Sequence, residues 1–123
     1  INSVEDNNEA LEAMHKIKET AFLIKELILK GDIASVASVF KSSWNAKKTT
    51  SEYISNFMIE NLEKKIFKSG AESMKISGAG GGGFAMIFVK PEIKMDVIKV
   101  LENDKFSNHL FSFTTEGVIS LTI

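Results

Sequence analysis

The sequence predicts an α+β domain, a two-layer ferredoxin-like arrangement with an antiparallel sheet and helices packed on one face. Three observations carry this expectation. The first seventy residues hold apolar side chains at helical spacing. Near Gly70 the pattern switches to short apolar runs of strand type. Between two of those runs lies Ser77-Gly78-Ala79-Gly80-Gly81-Gly82-Gly83, which places five of the eight glycines in six consecutive positions.

The elements follow in order. From Asn7 to Lys30, Leu11, Met14, Ile17, Ala21, Ile24 and Leu27/Ile28 recur as one apolar stripe of a helix. Gly31 is its C′ stop and Asp32 the N-cap of a second helix. That helix uses Ile33, Val36, Val39 and Phe40, with Trp44 near its end, and Lys47–Ser51 reads as a polar loop. A third helix begins between Ser51 and Asn56, runs through Met58, Ile59, Leu62 and Ile66, and stops at Gly70. Ser73–Ser77 and Phe84–Val89 read as strands on either side of the glycine run. Pro91 suits the first turn of a helix over Glu92–Asn103. Phe111–Thr114 and Val118–Ile123 are strand-like, with Glu116-Gly117 as the turn between them. A further strand of the same sheet is expected upstream of Ile1.

Composition narrows the function classes. The chain has 123 residues, 44% hydrophobic and 25% charged, which suits one soluble domain with a real core. Its net charge of −1 gives no broad attraction to nucleic acid or an anionic membrane. All fifteen basic residues are lysine. Without arginine there is no bidentate phosphate clamp, so a bound anion would rely on backbone N–H groups or lysine. Cysteine is absent, which excludes disulfides and thiolate metal sites. His15 and His109 lie far apart, so no metal spacing exists. The longest apolar run, about six residues, is far short of the roughly twenty that span a membrane. No signal peptide is visible, and a cytoplasmic location is expected. The chain opens at Ile1 without an initiator methionine and enters helix pattern almost at once, so it reads as a piece of something longer.

The glycine run is the strongest chemical signal. Such density allows positive φ at little steric cost and bares N–H groups that can approach a phosphate. A Walker A loop would place lysine and a hydroxyl residue after Gly83, but Phe84 and Ala85 stand there. Gly78, Gly80 and Gly83 fit G-x-G-x-x-G literally. That dinucleotide fingerprint needs a helix next, and a strand follows instead. The remaining context is strand, glycine loop, strand.

In that context the residues from Gly70 to Phe84, through Lys75-Ile76-Ser77-Gly78, resemble the third conserved motif of the GHMP kinases, which phosphorylate small alcohols. The likeness to their C-terminal domain covers nearly the whole chain. Lys30-Gly31-Asp32, Trp44-x-x-Lys47, Ile54-Ser55-Asn56 and Glu116-Gly117 are similar to the branch acting on the anomeric hydroxyl of D-glycero-D-manno-heptose 7-phosphate. Phe57 and Glu60 stand where that branch has proline and aspartate, and Glu72-Ser73-Met74 replaces a small, glycine-containing spacer.

The resemblance implies an ATP- and Mg2+-dependent enzyme of surface polysaccharide biosynthesis, of which this chain is roughly the last third. The nucleotide loop and the substrate-activating base would lie in an N-terminal kinase domain, this chain's main partner. Catalytic residues would lie outside this chain, and the fragment alone would bind no cofactor and be inactive. The loop Ser77–Gly83 would face the cleft between domains. Trp44, Lys47 and Lys75 are candidates to contact the sugar phosphate. An exposed sheet edge would let the fragment pair with a second copy.

Other readings stay in view. A different GHMP substrate, of the fucose, galactose or mevalonate type, keeps the same loop. A non-catalytic ferredoxin-like module for a small ligand keeps only the fold. An RNA-binding sheet would use Gly83-Phe84-Ala85-x-x-x-Val89, a loose echo of an RNP1 pattern without its leading basic residue. Each chemical candidate also has a bland counterpart: a tight turn for the glycines, core packing for Trp44 and solvated surface for Lys47 and Lys75.

Overall fold

The structure, a computed structural model, describes residues 4–78, 83–112, 114–117, 120 and 122, with side chains from residue 8 onward. Four α-helices and one antiparallel strand pair make up the described residues, a mixed α and β arrangement. Helix α1, Val4–Lys30, and helix α2, Ile33–Thr50, form an antiparallel hairpin and pack on each other. Gly31 turns the chain at φ +75°, a conformation that favours glycine. The Asp32 carboxylate then accepts from the Ser35 N–H at 3.2 Å and the Ser35 hydroxyl at 2.7 Å, capping α2. These hydrogen bonds hold the Asp32 carboxyl below its usual range.

Helix α2 does not end before Lys47. It continues to Thr50, so the polar loop expected over Lys47–Ser51 is mostly helix. The Thr49 and Thr50 hydroxyls donate back to the Ala46 and Lys47 carbonyls at 2.7 Å each. Lys47 and Lys48 in the last turn also oppose the negative end of the helix dipole. Helix α3, Phe57–Lys68, begins after Asn56, whose side chain accepts from the Ile59 N–H at 3.0 Å. Phe57 is therefore the first helical residue, the position at which proline is well tolerated. Gly70 ends the element at φ +103°.

Strands β1, Ser73–Ile76, and β2, Ala85–Phe88, pair with Ser73 opposite Phe88 and Ile76 opposite Ala85. A single 3₁₀ turn at Pro91–Ile93 then leads into α4, Lys94–Asn103. The core joins Trp44 of α2, Ile59, Leu62 and Ile66 of α3, Met74 and Ile76 of β1, and Val97 of α4. Met74 and Ile76 share one face of the hairpin because strand side chains alternate, and helices cover that face.

The last two expected strands do not appear among the described residues. Phe111, Ser112, Thr114, Ser120 and Thr122 lie outside any strand, while Phe113, Val118, Ile119, Leu121 and Ile123 are not among the described positions. No helix among the described residues is long and apolar enough to cross a membrane.

Candidate functional site: the stem of the glycine loop

The β1–β2 hairpin carries the glycine run at its tip. Its stem closes with the Ser77 N–H donating to the Phe84 carbonyl at 2.8 Å. Gly78 and Gly83 both take positive φ, +89° and +99°. A Cβ at Gly78 would meet nothing within 4 Å, and one at Gly83 would approach only the Ser77 carbonyl, at 3.8 Å. Backbone conformation, not crowding, is what asks for glycine at these two positions. Ala79, Gly80, Gly81 and Gly82 lie outside the described residues.

Lys47 reaches this stem from α2. Its Nζ donates to the Ile76 carbonyl at 3.4 Å and to the Gly78 carbonyl. Sequence reasoning offers Lys47 as a candidate sugar-phosphate contact; in the structure its ammonium donates to backbone carbonyls. Lys75 is half-buried on the opposite face of β1 from Met74, with Nζ 5.4 Å from the centre of the Phe40 ring. Burial, and secondarily repulsion from Lys47, push its pKa below the ordinary lysine range. Neither lysine has a carboxylate partner among the described residues, where the ion pairs are Lys48–Glu63 and Lys65–Asp104.

Trp44 is fully buried in the core, and its indole N–H has no partner among the described residues. The ammonium of Lys48 stands 5.6 Å from the centre of its ring. The indole is thus occupied by packing within this chain. His109, which sequence reasoning left as isolated surface, stands edge-on to Phe84 at 5.4 Å between ring centroids. No spacing signal could have joined residues on opposite sides of α4. Two open hollows, of about 280 and 290 Å³, lie elsewhere, one near Phe57, Leu62 and Phe106 and the other near Lys48, Glu63 and Phe67. No cluster of three His, Asp or Glu residues fit to hold a metal occurs among the described residues.

No protein-family model matches this chain. A curated protein does: D-glycero-alpha-D-manno-heptose 7-phosphate kinase of Campylobacter jejuni subsp. jejuni serotype O:2 is 42% identical over 117 residues. The alignment takes in 95% of this chain and 34% of that enzyme, so the chain spans about a third of the length of the relative it matches. It is a relative of a heptose 7-phosphate kinase, aligned with the C-terminal part of that enzyme.

Proposed function

We propose that this chain is the C-terminal part of an ATP-dependent sugar-phosphate kinase of the GHMP type. The full-length enzyme phosphorylates the anomeric hydroxyl of D-glycero-D-manno-heptose 7-phosphate. The observation that carries this reading is the 42% identity to a heptose 7-phosphate kinase along nearly the whole chain. The hairpin supports it: Gly78 and Gly83, at the two ends of the loop, take positive φ, a backbone suited to close approach of a phosphate.

In this reading β1 and β2 belong to a larger ferredoxin-like sheet, and Ser77–Gly83 forms one wall of the cleft between two domains of a cytoplasmic enzyme. Phosphoryl transfer depends mainly on positioning and electrostatic stabilisation. The chain's contribution is to hold bare backbone at a fixed place and to add the positive charges of Lys47 and Lys75 beside it. ATP, when bound, supplies the transferred phosphoryl group. The metal and its ligands belong, in this reading, to the rest of the enzyme.

The test is an assay of the full-length protein with ATP and heptose 7-phosphate, with fucose, galactose and mevalonate as competitors. Phosphorus NMR of the product should show a second phosphate, on the anomeric oxygen. Turnover of one of the other alcohols with none of the heptose would overturn the substrate assignment. Gly78→Val and Gly83→Val should each lower kcat about a hundredfold through misplacement of the loop by about 1 Å.

A further inference from the structure

We propose that Lys47 is a positioning residue, a strut that ties helix α2 to the base of the glycine loop, and not a ligand of the sugar phosphate. The kinetic side of this proposal rests on the kinase reading above; the structural side does not.

The argument starts from the pleat of β1. Ser77 donates its N–H to the carbonyl of Phe84, the residue just before β2. Backbone groups alternate in direction along an antiparallel strand, so the carbonyl of Ile76 points the other way, toward the edge that β2 does not cover; the Gly78 carbonyl, past the end of the strand where φ turns to +89°, is within reach of the same ammonium. No strand satisfies them among the described residues. The Lys47 ammonium donates to both. A lysine therefore does at this edge what a neighbouring strand would otherwise do, with charge-assisted hydrogen bonds.

The root of that lysine is held. Phe40, Trp44 and Lys47 stand at i, i+4 and i+7 on α2, one face of the helix. Each meets a different part of the same structure. Phe40 packs on Phe88 of β2 with ring centroids 4.9 Å apart. Trp44 is fully buried in the core with Met74 and Ile76. Lys47 reaches the loop base. Its own carbonyl accepts from the Thr50 hydroxyl at 2.7 Å, within the last turn of α2. Two anchored aromatic side chains fix the helix, and the third member of the stripe carries that fixity to the residue where the backbone first turns to positive φ, Gly78. A phosphate ligand would need the ammonium free to turn outward. Two of its three N–H groups are already committed to backbone carbonyls.

The experiment compares Lys47→Met and Lys47→Arg in the full-length protein. Lys47→Met keeps the aliphatic stem and drops the donors; Lys47→Arg keeps donors and charge. Two readouts are taken: kcat and both KM values, and amide hydrogen exchange of the peptide that carries Ser77 and Gly78. For Lys47→Met we expect kcat to fall ten- to a hundredfold, both KM values to stay within about twofold, and exchange at the loop stem to quicken about tenfold. Peptides of α3 and α4 should be unchanged. Lys47→Arg should restore most of kcat and of the protection.

A raised KM for the sugar phosphate with unchanged exchange would overturn the proposal in favour of a substrate contact. Unchanged exchange and kinetics together would show an idle surface lysine. If the wild-type protein does not phosphorylate the heptose at all, the functional reading fails while the exchange comparison still decides the strut. Should Lys47→Met not fold, judged by the emission of the buried Trp44, Lys47→Gln serves in its place with the same readouts and the same deciding outcomes.

Discussion

Lys75 keeps a charged end in a partly desolvated place. Its stem lies on the face of β1 away from the core, its ammonium sits over the Phe40 ring, and burial together with Lys47 lowers its pKa. The charged form is thus the penalised one. The folded chain gives up this proton at a lower pH than the unfolded chain, so the unfolded state binds more protons in the interval between the two pKa values. Stability must rise with pH across that interval, which ends near the ordinary lysine value of about 10.4. At neutral and acidic pH both states are protonated and the whole cost is present. Replacing Lys75 by Met should therefore flatten the alkaline rise relative to wild type, read from urea midpoints between about pH 8 and pH 10.5. Parallel curves for the two proteins would show that the lysine is solvated like any other. Sequence reasoning places this residue as a lysine entering a glycine loop and a candidate sugar-phosphate contact. Its surroundings come from Phe40 and Lys47, some thirty residues earlier, and no local pattern records that meeting. The same holds for Trp44 and Lys47. Their spacing of one helical turn was legible, but which of them would be buried and which would reach a carbonyl depends on where the hairpin lies against α2.

Among elements, the helix stops were the most legible. Gly31 and Gly70 both lie at helix ends with positive φ, yet they sit in different surroundings. A Cβ on Gly31 would meet nothing within 4 Å, while one on Gly70 would come within 3.0 and 3.1 Å of the Ile93 side chain. Gly31→Ala should therefore cost only the backbone strain of a left-handed residue, about 1–2 kcal/mol. Gly70→Ala adds the displacement of Ile93, a packing conflict worth about 1–3 kcal/mol, for about 2–5 kcal/mol in all. Denaturant midpoints for the two variants check the ranking, and equal losses would mean that Ile93 moves aside freely. Where sequence reasoning missed an element boundary, the reason is local chemistry. Lys47–Thr50 looked like loop because it holds no apolar residue. Lysine nevertheless propagates a helix well, and the threonine hydroxyls bond back into the last turn. The strands read into Phe111–Thr114 and Val118–Ile123 rested on β-branched and aromatic composition, which reports fitness for a half-buried pleated surface; the described residues of these stretches lie outside any strand, and the others lie outside the described positions.

At the scale of the whole molecule, the hairpin is a two-stranded sheet with open edges among the described residues. One edge of β1 faces α2 and is capped by Lys47, and the other pairs with β2. The far edge of β2 has no strand beside it among the described residues. Phe84 just before it is 66% exposed and Met86 within it 38% exposed. Helix α1 adds a second unpaired surface: Leu11, Phe22 and Leu29 project together on the side away from α2, each more than half exposed. An isolated chain with both features should associate, and an open strand edge is the more directional of the two because it presents a row of unpaired N–H and C=O groups. We expect the purified 123-residue chain to move from monomer toward dimer as its concentration rises, measured by light scattering after gel filtration. Met86→Lys places a charge on the open strand, a common way of blocking edge pairing, and should return the chain to monomer. Phe22→Glu, on the outer face of α1, should leave the dimer intact. The reverse pattern would assign the association to α1, and a monomer at high concentration would show that neither surface seeks a partner. In the full-length enzyme proposed here, about two thirds of the relative's length lies outside the matched third. A full-length protein in which that remainder covers the open strand edge should show no such dependence on Met86.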